Sequence, residues 1–412
     1  MAIEVGRGSS ITRNSSDRAI SEVAAFVLVL TAVAGSFDTG RLTSNLEIDV
    51  RALLLPVLVL VSMVSAATCR QNRLSVADIS GVFVFVVWAG YMAASAFWGP
   101  GGRPSEVALE FFFLAVLVLA TVGIVTRYDE YLELAIWRWF LIVGILYLAD
   151  AMLRSGGGGQ RFSAFGGGPN VFVRIMLLSC IAAIVLAYRS RNPKVAMLIF
   201  PFVFGAVMSG SRGGMVAGVV GGVVVILYLA WKYKNIWIIP SIVFAIALGV
   251  LLISTYGRET RFFQFINERY IVQTLESGNT SGRSELADEA IRLFWLEPIM
   301  GHGAGGFTVL QNTRLDTYAH NLFLSTAAEG GVIGLLFLGV AMCLLIARLL
   351  HSGGQSSVPA VCFGVGSLVV LVSAQFSGSY YDSRLVWILL ICGIGAARLT
   401  SQETIASKGL AK

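Results

Sequence analysis

The chain has three histidines, and one of them sits among residues that could do chemistry. His320 lies in Tyr318-Ala319-His320-Asn321-Leu322-Phe323-Leu324, at the entry to a long apolar run. Asn321, Ser325 and Glu329 follow at four-residue spacing, which is one stripe of a helix. An imidazole titrates near neutrality and suits a general base that takes a proton from a hydroxyl. Glu329 falls about two turns below the entry, where a carboxylate is costly unless partnered, so it reads as structural, bonded to Ser325 or to a neighbouring helix. On an ideal helix His320 and Glu329 point about 180° apart and do not touch unless Gly330-Gly331 distorts the helix.

The second set is cationic. Ser209-Gly210-Ser211-Arg212-Gly213-Gly214 is a tight turn between two apolar runs, and it holds Arg212 close to the bundle mouth. Arg161 opens Arg161-Phe162-Ser163-Ala164-Phe165-Gly166-Gly167-Gly168-Pro169-Asn170. The long segment 255–318 adds Arg258, Arg261, Arg269, Arg283, Arg292 and Arg314. Within it, Ser284 can cap a helix that Pro298 ends. Arginine grips phosphate oxygens in a planar fork and does not lose its charge. Fixed cations beside one base suit departure of a diphosphate, because negative charge grows on that group as its bond to a sugar breaks. Gly301-His302-Gly303-Ala304-Gly305-Gly306 matches GxGxxG, but no strand precedes it. Its glycines serve a tight turn or close approach to a diphosphate, which makes His302 and Gly303 candidate substrate contacts beside Asn321 and Arg161. No HExxH, DxD, P-loop or GxSxG occurs, so neither a metal nor a cofactor is expected.

Positioning these residues falls to apolar helices. Of 412 residues, 56% are hydrophobic and 13% charged, where soluble chains carry about 25% charge. Apolar runs of membrane-spanning length predict an all-α bundle of about twelve helices, at 20–36, 52–68, 79–98, 107–125, 134–152, 170–188, 195–209, 213–231, 235–254, 319–347, 358–376 and 384–398. The chain reads as one integral membrane domain over 1–412, with 255–318 as an external subdomain. Arg127, Arg189, Lys194, Lys232, Lys234, Arg348 and Arg398 fall in alternate loops, which sets both termini on the cytoplasmic side and 255–318 outside. Ala32-Val33-Ala34 resembles a signal-peptide cleavage site, yet the run before it reads as an anchor helix. The net charge of +6 serves topology, and with no basic stripe carrying interleaved aromatics no nucleic-acid partner is expected. The five cysteines lie in or beside apolar runs and form no CxxC pair, which argues against a disulfide framework or a zinc site. A transporter of lipid-linked sugars is the competing reading. It should show internal repeats and a polar path through the bundle, and the deep candidates are few, Arg138 and Glu329 among them.

Four segments taken together resemble the bacterial O-antigen ligase and O-antigen polymerase superfamily, exopolysaccharide polymerases included. They are Arg161 to Asn170; Ser211-Arg212-Gly213-Gly214; Ser281-Gly282-Arg283 through Pro298-Ile299-Met300-Gly301-His302-Gly303; and His320-Asn321-Leu322-Phe323-Leu324 with Glu329-Gly330-Gly331. The resemblance implies a GT-C-like, metal-independent membrane glycosyltransferase of the bacterial inner membrane, working at its periplasmic face. Its donor would be an undecaprenyl-diphosphate-linked glycan, and its acceptor another glycan or lipid A–core. Membrane lipid, and in some systems a chain-length regulator, would be its other partners. By motif position Arg212 and Arg283 would bind the diphosphate, and His320 would be catalytic.

Overall fold

The computed structural model describes residues 15–34, 50–68, 74–154, 161–234, 260–276, 282–313, 318–354 and 357–409. These form α1 (Ser15–Ala34), α2 (Val50–Ala67), α3 (Val76–Ser95), α4 (Pro104–Val125), α5 (Glu130–Arg154), α6 (Pro169–Ser190), α7 (Ile199–Met208), α8 (Arg212–Lys232), α9 (Arg261–Ile266), α10 (Arg283–Leu296), α11 (Gly306–Leu310), α12 (Leu322–Leu349), α13 (Val358–Ala374) and α14 (Arg384–Gly409). The expected all-α class holds: among the described residues no strand occurs, only an isolated bridge from Ala164 to Gly167.

Among the described residues eight helices, α2–α6, α8, α12 and α14, are long and apolar enough to cross a membrane, so the chain is a multi-pass helical membrane protein. The span expected at 195–209 is a shorter element. Pro193 starts a 3₁₀ turn to Leu198, and Pro201 lies in the first turn of the ten-residue α7. Two prolines within nine residues remove amide donors and leave little regular helix. α13, with 17 residues, is also short. The run 235–254 lies outside the described residues, as do 255–259, 277–281 and 314–317 of the long external segment.

Aromatic residues fill the centre. Trp88 and Phe85 of α3, Phe111 of α4, Tyr380 and Trp387 pack ring against ring. Arginines from the loops assigned to the cytoplasm close one end. Arg348 of α12 and Arg398 of α14 both pair with the buried Asp78 of α3, which also accepts from Ser75 at 2.6 and 2.7 Å. Arg189 of α6 pairs with Glu133 of α5 at 2.8 Å. These ion pairs tie distant helices at a common level. Arg138, a candidate for a polar path, pairs with Glu22 of α1 at 3.2 Å on the surface.

Candidate functional site

The other end is organised around the turn from Ser209 to Ser211. Gly210 has φ +59°, a left-handed conformation that glycine adopts without strain. The turn therefore presents two carbonyls in one direction, and both accept from arginines. Arg161 donates Nε to the Ser209 carbonyl at 2.9 Å and Nη2 to the Gly210 carbonyl at 3.3 Å. Arg269 donates Nε to the Gly210 carbonyl at 3.0 Å. Tyr270, next in sequence, donates its hydroxyl to the Val207 carbonyl at 2.9 Å and docks the segment Asn267–Glu276 onto the turn. Ser211 caps α8 by accepting from the Gly214 amide, and its hydroxyl donates to Asn170 Oδ1 at 2.6 Å. The first turns of α6 and α8 are thereby joined. Arg212 is the first residue of α8. A Cβ on Gly213 would lie 2.3 Å from Phe376, and one on Gly214 would lie 2.2 Å from Val173, so these glycines let α8 close on its neighbours.

Arg283, the first residue of α10, completes the cationic set. Burial, then the cations of Arg269, Arg283 and Arg212, pull Arg161 down to about 10. Burial and the charge of Arg212 lower Arg283 as well. Four guanidinium groups from four chain segments are thus close enough to perturb one another. Like charges held together and partly desolvated form a strong field for a multivalent anion.

His320 borders this set. It stands at φ +55°, unusual for a residue with a side chain, directly before Asn321. Asn321 caps α12, accepting from the amides of Phe323 and Leu324 at 3.0 Å each, and donates Nδ2 to the Gln375 carbonyl at 3.3 Å. With both ends of its amide committed to the fold, Asn321 holds His320 in place. The imidazole is half-buried, its ring centroid 4.2 Å from that of Tyr318. Burial and the Arg283 charge lower its pKa, against an opposing effect of Asp382. It is therefore neutral at neutral pH and able to accept a proton.

The glycine-rich segment does something different from what its motif suggested. α12 breaks at Gly331, whose φ is +60° and ψ −160°. The break frees backbone groups on both sides of it, and residues 298–303 take up two carbonyls and two amides. The amides of His302 and Gly303 donate to the Ala328 and Glu329 carbonyls, and the Pro298 and Ile299 carbonyls accept from the Val332 and Ile333 amides. A Cβ on Gly303 would lie 2.4 Å from the Ser95 carbonyl oxygen, and one on Gly301 would lie 2.4 Å from the Glu329 backbone. The close approach that these glycines permit is to protein backbone. His302 is bonded through Nε2 to the Leu293 carbonyl at 3.0 Å, towards the end of α10 remote from Arg283. His302 and Gly303, expected as substrate contacts, are thus occupied in packing and are not brought to the arginines.

Glu329 is buried and fixes the same segment. Oε1 accepts from the amides of Gly305 at 3.0 Å and Phe307 at 3.1 Å, and Oε2 accepts from the Tyr380 hydroxyl at 2.7 Å. Of the two partners expected, Ser325 is not among them, while neighbouring elements, the short α11 through Phe307 included, are. Arg174 and Asp382 are not among the residues expected from the sequence, and Arg269 is there only as one of six arginines of the external segment. Arg174, buried in α6, donates to the Ser373 carbonyl at 3.4 Å and to the Ser377 carbonyl. An arginine inside an apolar run was a signal in its own right. Asp382 carried none, and Arg269 carried only its membership of the arginine-rich segment, because contact across the fold is what gives them a place.

Comparison with curated proteins returns no match. Residues 195–339, roughly a third of the chain, match the family model described as O-antigen ligase. The matched stretch includes Arg212, Arg269, Arg283 and His320 but not Arg161. That match, and the motifs within it, support the O-antigen ligase and polymerase superfamily for residues 195–339.

Proposed function

We propose that the chain is a metal-independent glycosyltransferase. It moves a glycan from undecaprenyl diphosphate to an acceptor sugar at the periplasmic face of the bacterial inner membrane. The observation that carries this reading is the cluster of Arg161, Arg212, Arg269 and Arg283 beside a neutral His320. The family match supports ligase- or polymerase-type chemistry.

In the proposed step the acceptor hydroxyl oxygen attacks the anomeric carbon, and its proton passes to His320. The bond from that carbon to the diphosphate oxygen breaks, and the electron pair stays on the diphosphate. The departing lipid diphosphate carries one more negative charge than the donor did, so fixed cations favour the transition state over the bound donor. Arg212 and Arg283 grip the diphosphate, while Arg161 and Arg269, anchored on one turn, extend the field. Asn321 positions His320. Glu329 and Ser325 act within the fold. The reading retains a GT-C-like bundle of about twelve spans, with 255–318 as its external subdomain.

Polymerisation of surface or exopolysaccharide repeat units is the first reading of the product. Ligation to lipid A–core is the second, favoured by the description of the matched family. A flippase gains little support, because the cations gather at one mouth and Arg138, one of the few candidates for a path through the bundle, is paired with Glu22 on the surface. A deletion strain complemented with the gene separates these readings. Accumulation of single lipid-linked repeat units without the protein marks a polymerase. Accumulation of long lipid-linked chains that never reach lipid A–core marks a ligase. Full function from His320→Ala would remove His320 from the mechanism.

A further inference from the structure

The segment 297–303 lies deeper than an external loop should. Its hydrogen bonds run to Ala328, Glu329, Val332 and Ile333 of α12, roughly 10–15 Å along that helix from its external end. Tyr91, inside α3, shares its single hydroxyl proton between the Met300 carbonyl at 2.9 Å and the Gly330 carbonyl at 3.0 Å. Both α3 and α12 are helices of membrane-spanning length. The segment is therefore level with their outer turns. Non-helical backbone survives at that depth only where its polar groups are satisfied by protein. Here they are: the Pro298, Ile299 and Met300 carbonyls and the Gly301, His302 and Gly303 amides are all paired.

The side chains face the other way. Ile299 is 67% exposed and Met300 47%, and Trp295 and Leu296 at the end of α10 are 71% and 58% exposed. Ile299 borders Val332 of α12, itself exposed, and Leu336 one turn further is 60% exposed. Phe97 and Trp98, just beyond α3, are exposed near the same level, where aromatic residues mark membrane interfaces. Apart from the exposed Glu297, whose carboxylate has to reach the headgroup region, polar backbone is turned inward and apolar side chains outward, the pattern of a surface bathed in hydrocarbon.

We infer that residues 295–300 form a re-entrant wedge whose Trp295, Leu296, Ile299 and Met300 side chains contact the acyl chains of the outer leaflet. The wedge anchors the C-terminal end of α10 in the bilayer. Arg283 stands at the opposite end of that helix, roughly 20 Å away. The membrane itself thus sets the height at which α10 presents Arg283.

The test reads position and owes nothing to activity. The exposed Cys343 is first replaced by alanine and Cys69 by serine; the other three cysteines are buried. A single new cysteine is then placed at Ile299, or at the exposed Thr308 of α11 as the comparison, and labelled with a small fluorophore. The full chain is reconstituted in phosphatidylcholine–phosphatidylglycerol vesicles, with and without lipids spin-labelled near the top of the acyl chain. The label at Ile299 is expected to lose most of its fluorescence to spin-labelled lipid and little to iodide, with the Thr308 label quenched more by iodide. Strong iodide quenching at Ile299 without a lipid response would place the face in water and overturn the inference. Protection from both quenchers, as a second copy of the chain over this face would give, would overturn it too.

Discussion

Replacing Arg161 by lysine keeps a positive charge but changes the pH at which that charge is lost. In the native protein, burial and three neighbouring arginines bring Arg161 well below the usual guanidinium range, to about 10. A lysine starts near ~10.4, and the same surroundings would bring it to roughly 8. At neutral pH most of the variant molecules still carry the charge; one unit above ~8 only about a tenth do. The substitution also removes the forked contact with the Ser209 and Gly210 carbonyls, so some activity is lost at every pH. The assay is kcat/KM for a lipid-diphosphate-linked glycan, measured from pH 6.5 to 9.5 with the reconstituted protein. Wild type should show no alkaline limb below about pH 9. Arg161→Lys should show one with an apparent pKa near ~8, falling about tenfold per pH unit beyond it. A variant profile with the same shape as wild type, merely lower, would show that the charge on Arg161 is not felt by the substrate.

Three further outcomes follow from the same geometry. Arg283→Lys retains charge but loses the planar fork. Loss of one charge-assisted bond of ~1.5–3 kcal/mol predicts a fall of roughly 10- to 150-fold in kcat/KM, and activity within threefold of wild type would argue for a purely long-range role. His320→Ala should cost ~10²–10⁴-fold, the usual contribution of a general base, whereas His302→Ala, which removes a bond to Leu293, should cost much less; the reverse order would identify the wrong histidine. The acid limb of kcat/KM should lie below the ordinary imidazole value of 6.5, because burial and Arg283 favour the neutral ring. Arg283→Gln removes the repelling cation and leaves the Asp382 attraction, so in the residual activity the limb should move to higher pH; a limb that stays put or moves down would place His320 outside the reach of Arg283.

Much of the scaffold was legible because hydrocarbon is a strict solvent. Runs such as Pro104–Val125 and Pro169–Ser190 have one way to satisfy their backbone, and they are helices as expected. The element at 193–208 was harder to read, since its composition is apolar while Pro193 and Pro201 limit its regular length. Arg161, Arg212 and Arg283 could be picked out from tight turns and motif order. That Arg161 and Arg269 share one carbonyl could not, because 108 positions separate them and the contact depends on how Asn267–Glu276 docks. The glycine-rich run at 301–306 was read for its pattern, and the same pattern serves equally well when the nearby backbone belongs to the protein. Only the break at Gly331 decides between these uses. Gly330-Gly331 marked a place where α12 could bend, but nothing local said that residues 298–303 would complete the broken turn.

The account turns on one event, departure of a lipid diphosphate held by arginines while His320 takes a proton. The direct measurement is release of polyprenyl diphosphate from a synthetic lipid-diphosphate glycan, in vesicles containing purified wild type, Arg283→Gln or His320→Ala and a glycan acceptor. Wild type should give acceptor-dependent release and a lengthened glycan, and either variant should lose both. Wild-type levels of release from His320→Ala, or transfer undiminished in Arg283→Gln, would contradict it.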